Sequence, residues 1–141
     1  WQTRAGLKLS PEAREKTLAA CHHWHGNKIK CYLACVMPDH VHLVMTLGDG
    51  STLQECVRLF KGRLSPSLRN QNLHWQDGFH EHRLRSDEDR LPVFLYLFLN
   101  PYRAGLITVS ETWPGYYCSA EDWEWFGPLT RSRVPFPEWI E

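Results

Sequence analysis

No apolar run in this sequence is long enough to span a membrane; the longest, around Val93–Leu99, falls well short of the roughly 20 residues needed. The start shows no charged-then-apolar signal pattern, so a cytoplasmic protein is expected, and if DNA is its partner, one at the bacterial nucleoid. No CxxC pair occurs among the five cysteines (Cys21, Cys31, Cys35, Cys56, Cys118), and an odd number without regular spacing excludes a disulfide framework. Reduced thiols are the expected reading. A zinc-binding interaction module built on Cys21, His22, His23, His25, Cys31 and Cys35 competes with it, although structural zinc sites usually show tighter ligand spacing. Net charge is absent too, 16 Lys/Arg balancing 16 Asp/Glu, which taken alone argues against a nucleic-acid partner. The distribution argues the other way: residues 1–85 hold 12 basic against 7 acidic side chains, and residues 86–141 hold 4 against 9. The first part could face phosphates while the acidic tail stays clear of them. There is no internal repeat, and 141 residues fit one domain, 1–141, able to bury a core.

Against these absences stand clear local signals. Ser10-Pro11-Glu12 reads as a helix start, and Gly26 as the stop of a helix ending near His25. Lys28–Met37 reads as a buried strand, Pro38-Asp39 as a tight turn, and His40–Leu47 as the second strand of an antiparallel hairpin. Ser51 with Gln54 suggests a capping box opening a helix whose stripe is Leu53, Val57, Phe60 and Leu64. A polar loop is expected over 65–77. Phe79–Arg85 alternates as a strand, with Phe79, Glu81, Arg83 and Arg85 on one face and His80, His82 and Leu84 on the other. A further helix enters through Ser86–Asp89 and should end at Asn100, before Pro101. Residues 110–141 look like an irregular C-terminal tail. This order predicts an α+β fold with an antiparallel sheet packed against helices.

The chemistry concentrates in two segments. In Met37-Pro38-Asp39-His40-Val41-His42-Leu43-Val44-Met45, strand alternation points His40 and His42 to one face and buries Val41 on the other. Two imidazoles so presented are placed to bind one divalent ion. A histidine-triad nucleotide hydrolase would need a third histidine where Val44 stands, and is excluded. In Tyr96-Leu97-Phe98-Leu99-Asn100-Pro101-Tyr102, Tyr96 and Asn100 lie one helical turn apart on one face. Taken singly, each could be a core tyrosine or a helix cap; together they offer a nucleophile and a carbonyl oxygen. Arg58, Lys61 and Arg63 on the second helix, with Arg83 and Arg85 on the following strand, are candidate phosphate contacts, though a solvated helix face explains any one of them nearly as well.

MPDHVHLVM resembles the His-hydrophobic-His motif of HUH endonucleases. With FKGRL, WQDGFHEHRLR and YLFLNPYRAGLI following in order, the chain is similar to REP-associated tyrosine transposases over roughly Tyr32–Ile107. The resemblance implies an RRM-like (ferredoxin-like) antiparallel sheet backed by helices. It also implies His40 and His42 as metal ligands, Asn100 in place of the third ligand, and Tyr96 as the nucleophile. A donor set of two nitrogens and one oxygen with water suits Mg²⁺ or Mn²⁺. The implied activity is cleavage and rejoining of single-stranded DNA near hairpins through a 5′-phosphotyrosine, by a monomer or homodimer. An inactive member that only binds DNA hairpins is the alternative. Two departures stand out: only Trp1–Arg4 remain for the family's first strand, and Tyr102 follows NP, where it competes as nucleophile.

Overall fold

The computed structural model describes residues 1–3, 8–70, 72–84 and 89–141. Helix α1 (Pro11–Trp24) starts where Ser10 accepts the Ala13 N–H and stops before Gly26, whose φ of +79° favours glycine. Strands β1 (Ile29–Val36) and β2 (Val41–Leu47) form the expected hairpin, with Val36 opposite Val41 and Cys35 opposite His42. Helix α2 (Leu53–Arg69) and helix α3 (Leu91–Arg103) follow, then β3 (Tyr116–Cys118) and α4 (Ala120–Phe126). The sheet is three-stranded and antiparallel in the order β2-β1-β3, and the fold is α+β as expected.

Alternation along the hairpin divides the core. Val41, Leu43 and Met45 pack with α1 and α2, against Ala13, Ala20, Phe60 and Leu64. On the opposite face Val44 packs with Phe94, Leu97 and Phe98 of α3 and with Phe126 of α4. An irregularity between Cys31 and Leu33 turns both Tyr32 and Leu33 toward α3. Each large apolar side chain buried this way stabilises the fold by about 1.5–3 kcal/mol. The sheet is therefore held from both sides, and β2 has little freedom to shift.

Several sequence expectations change. The cap of α2 is one residue later: Thr52 accepts the Glu55 N–H, and Glu55 reaches back to the Thr52 N–H. Acidic Glu55 suits the positive end of the helix, where Gln54 brings no charge. The helix also runs through Pro66 to Arg69, because Leu64 and Leu68 continue the buried stripe across what reads as a polar loop. Residues 79–84 form no strand; among the described residues none pairs with them in a ladder, and residues 80–83 are exposed. Ser86–Glu88 of the expected acidic helix entrance, like Arg85, lie outside the described residues.

Helix α3 does not stop at Asn100. Pro101 is fully buried and Tyr102 nearly so, and the helix continues to Arg103 with the Ala104 N–H bonded to the Asn100 carbonyl at 2.9 Å. A proline in the last turn forfeits few helical bonds. In the turn before it, the Phe98 carbonyl gains the Tyr116 hydroxyl as donor. Residues 110–141 are not an irregular tail either. They supply β3 and α4, and the chain passes so close to β1 at Gly115 that a Cβ there would meet the Val36 carbonyl. At the start of the chain, Gln2 pairs with His40 beside the outer edge of β2, and Thr3 pairs with Trp75. Arg4 lies outside the described residues.

Candidate active site

The site is built where the start of β2 meets the middle of α3. The Met37 N–H bonds to the His40 carbonyl at 2.8 Å on one side, and the Thr3 N–H to the Asp39 carbonyl at 2.8 Å on the other. The turn that presents the histidines is thus fixed by main chain on both flanks. His40 and His42 project to the α3 face, their Nε2 atoms 3.1 Å apart. The Asn100 side-chain amide lies 3.2 Å from His42 Nε2, across 58 residues of sequence. The Tyr96 ring stands edge-on to the His42 ring, centroids 5.7 Å apart, and Tyr96 is 55% exposed. The four residues singled out in sequence are brought together.

Electrostatics favour lone pairs over charges here. Burial, helped by the nearby His40, pushes the His42 imidazole down to about 4, so it is neutral at pH 7. Asp39 Oδ1 lies 2.6 Å from His40 Nδ1. A carboxylate can only accept, so His40 carries a proton on Nδ1 and, when neutral, a bare Nε2 aimed at His42. Two imidazole nitrogens at this distance can share either a proton, with His42 Nε2–H donating to His40 Nε2, or a metal ion. Two ligands at about 2.1 Å and 90° around one octahedral ion lie about 3.0 Å apart. The spacings of His40 and of Asn100 from His42 are therefore compatible with a shared divalent ion, and half a turn of the Asn100 amide places its oxygen where its nitrogen lies. Among the described residues no group of three His, Cys, Asp or Glu side chains is gathered to hold a metal, so such a site depends on Asn100.

Among the described residues, the cysteines and histidines of 21–35 are likewise not gathered into a zinc site. His25 Nδ1 accepts the Cys31 N–H at 3.0 Å, His23 packs on Trp24, and His22 on Tyr117. The hydrogen bond with Cys21, and then burial, push the Cys31 thiol far up. Tyr102, the competing nucleophile, is 5% exposed and donates its hydroxyl to the Glu111 carbonyl at 2.7 Å. Burial raises its pKa further.

The cation candidates separate. Arg58 and Arg63 are exposed on α2, and Arg83 is exposed with Glu81 3.9 Å away. Lys61 is different. Its ammonium donates to the Gln76 carbonyl at 2.8 Å and the Gly78 carbonyl at 2.6 Å, tying α2 to the following loop. Arg85 lies outside the described residues. Sequence reasoning missed two features. One is Asp39, visible only as the residue before the first histidine. The other is a groove of about 450 Å3 beside Tyr96, lined by Pro92, Leu95, Leu99, Arg103 and Trp139. Trp139 comes from the far end of the chain, and no local pattern links it to α3.

The molecule is an antiparallel sheet held between helices, with a His-Val-His segment opposite a helical tyrosine. The fold is shared with a solved REP-associated tyrosine transposase bound to a REP hairpin, at a TM-score of 0.66 and 19% identity over 95% of this chain and 78% of that one. Residues 7–85 match the family described as IS200-like transposases, more than half of the chain, and the protein belongs to that family. A Haemophilus influenzae protein provisionally named a REP-associated tyrosine transposase is 27% identical over 118 residues, 73% of this chain. The REP-associated tyrosine transposase of Escherichia coli K12 is 29% identical over 80 residues, 56% of this chain. The matched regions cover 65% and 48% of those two proteins. Among the described residues no helix is long and apolar enough to cross a membrane.

Proposed function

We propose that the protein is a divalent-metal-dependent transposase that cleaves and rejoins single-stranded DNA beside a hairpin, with Tyr96 as nucleophile. The observation that supports this best is the convergence of His40, His42 and Asn100 beside an exposed tyrosine, in a chain of the IS200-like family. His40, His42 and Asn100 would hold Mg²⁺ or Mn²⁺. When bound, such an ion supplies positive charge to a non-bridging phosphate oxygen and to the charge that grows in the transition state. The Tyr96 hydroxyl attacks phosphorus in line and gives its proton to water. The bond from phosphorus to the 3′-oxygen breaks, and that oxygen leaves and takes up a proton. A 5′-phosphotyrosine and a free 3′-hydroxyl result. Because one phosphoester replaces another, a 3′-hydroxyl can reverse the step and join strands without ATP.

The remaining residues serve the strand. Unpaired nucleotides flanking the cut would lie along the groove between Tyr96 and Trp139, where bases find apolar and aromatic surface. Arg58, Arg63 and Arg83 would meet phosphates, and Lys61 would hold the loop that presents Arg83. The test is incubation of the protein with labelled single-stranded hairpin DNA and Mn²⁺. A denaturation-resistant protein–DNA adduct is expected; hairpin binding without an adduct, under conditions where metal is bound, would leave a binding protein.

A further inference from the structure

We infer that Asp39 is a positioning residue of this site, fixing the tautomer and ring orientation of His40 so that its Nε2 lone pair is aimed at the metal. The inference rests on the metal-site reading above and goes beyond it to a residue outside the ligand set. Asp39 Oδ1 lies 2.6 Å from Nδ1, on the side of the ring away from His42. Asp39 is therefore no ligand itself; it acts through the imidazole. A neutral imidazole carries its proton on either nitrogen, and in water both forms are populated. An acceptor fixed at Nδ1 selects the form whose Nε2 is bare, and its directionality stops the ring from turning edge-on to the site. Metal-bound histidines commonly donate their other N–H to a carboxylate or carbonyl in this way. The Asp39 side chain is half exposed, so the contact adds little to stability; its effect is on orientation.

The neighbouring backbone makes the idea testable. The Asp39 carbonyl accepts from the Thr3 N–H, and the His40 carbonyl from the Met37 N–H, so the turn survives loss of the carboxylate. His42 reaches the same centre with its Nε2 facing His40 and Asn100, and among the described residues no carboxylate is bonded to its ring. The pair thus depends on one anchored and one buried ring.

The experiment compares wild type with Asp39→Ala, Asp39→Asn and His40→Ala in two measurements. Nitrogen-15 NMR of the metal-free protein reads the tautomer directly. His40 is expected as the Nδ1–H form in wild type and Asp39→Asn, whose amide oxygen still accepts, and as a mixture in Asp39→Ala. Calorimetric titration with Mn²⁺ alone reads the consequence. Asp39→Ala should lose on the order of 10–100-fold in affinity, and Asp39→Asn distinctly less. An unchanged His40 tautomer in Asp39→Ala overturns the inference, as does wild-type Mn²⁺ affinity in that variant while His40→Ala loses it. Asp39→Asn as weak as Asp39→Ala despite the Nδ1–H form also overturns it, assigning the effect to charge. Mn²⁺ affinity unaffected by His40→Ala instead sinks the metal-site reading, and the NMR result then stands on its own for the orientation.

Discussion

On the α3 side of the sheet, His40, His42, Asn100 and Tyr96 lie within hydrogen-bond or ring contact of one another, on elements that pack through Val44, Leu97 and Phe98. On α2 and the segment after it, Arg58, Arg63 and Arg83 stand in solvent, and among the described residues the backbone of 79–84 has no regular partner. The difference follows from what each chemistry tolerates. In-line attack loses rate steeply with small misplacement of the reacting groups, so it needs side chains held by a packed core. Phosphate attraction acts over several ångströms and tolerates mobile side chains, so it can be left to a surface. Lys61 spans the two regimes: a cation by sequence, a structural tie by geometry.

Breaking the rigid side should have the largest effect. Tyr96→Phe removes one hydroxyl that is exposed, so folding and hairpin binding should persist while the covalent adduct disappears. Tyr102→Phe should keep the adduct and lose about 1 kcal/mol of stability with the bond to Glu111. Peptide mass spectrometry of the trapped adduct checks both. A nucleotide remnant on Tyr102 would reverse the division between the two tyrosines.

Next in size are the histidines. His40→Ala or His42→Ala should lower cleavage by on the order of 10²-fold or more, through loss of charge stabilisation in the transition state. Hairpin affinity, supplied elsewhere, should change by no more than about threefold. Cleavage and binding measured on the same hairpin separate the two. Parallel losses would merge the regions that the structure keeps apart.

A third effect belongs to the metal-free protein. The His42 imidazole titrates near 6.5 in an unfolded chain and at about 4 when folded. Between those values the unfolded chain binds a proton that the folded one refuses. Stability should therefore be full above about pH 6.5 and fall as the pH drops toward 4, by at most about 3 kcal/mol. Denaturant midpoints across that range should show the slope, and His42→Gln should flatten it. A slope that is unchanged in the variant would assign it to other groups.

The rigid side was also the more legible in sequence, for the same reason. Two-residue alternation placed His40 and His42 together, and a four-residue step joined Tyr96 to Asn100, because packed elements obey fixed periods. Where the reading failed, tertiary packing overrode local signals. Residues 65–77 read as a polar loop and Pro101 as a helix stop, yet buried Leu68 and Tyr102 carry each helix onward. Phe79–Leu84 alternates like a strand but finds no partner among the described residues. Asp39 and Trp139 join the site through contacts that no spacing announces.

The smallest expected effect probes the surface side. If Arg58 and Arg63 meet phosphates, each releases counterions on binding, so replacing either with Ala should lower the slope of log affinity against log salt by about 1. Lys61 should not behave this way. Burial pulls its pKa down, and two of its three donors are already committed to the Gln76 and Gly78 carbonyls. Lys61→Ala should leave the salt slope nearly unchanged and cost about 1 kcal/mol of stability, with greater proteolytic nicking across residues 76–84. Replacing Lys61 and Arg58 together should flatten the slope no more than Arg58→Ala does. A salt slope lowered by Lys61→Ala as much as by Arg58→Ala would show that the ammonium leaves its carbonyls for DNA. The loop would then be released as DNA is gripped, and the line between the rigid and the adaptable region would move when the hairpin binds.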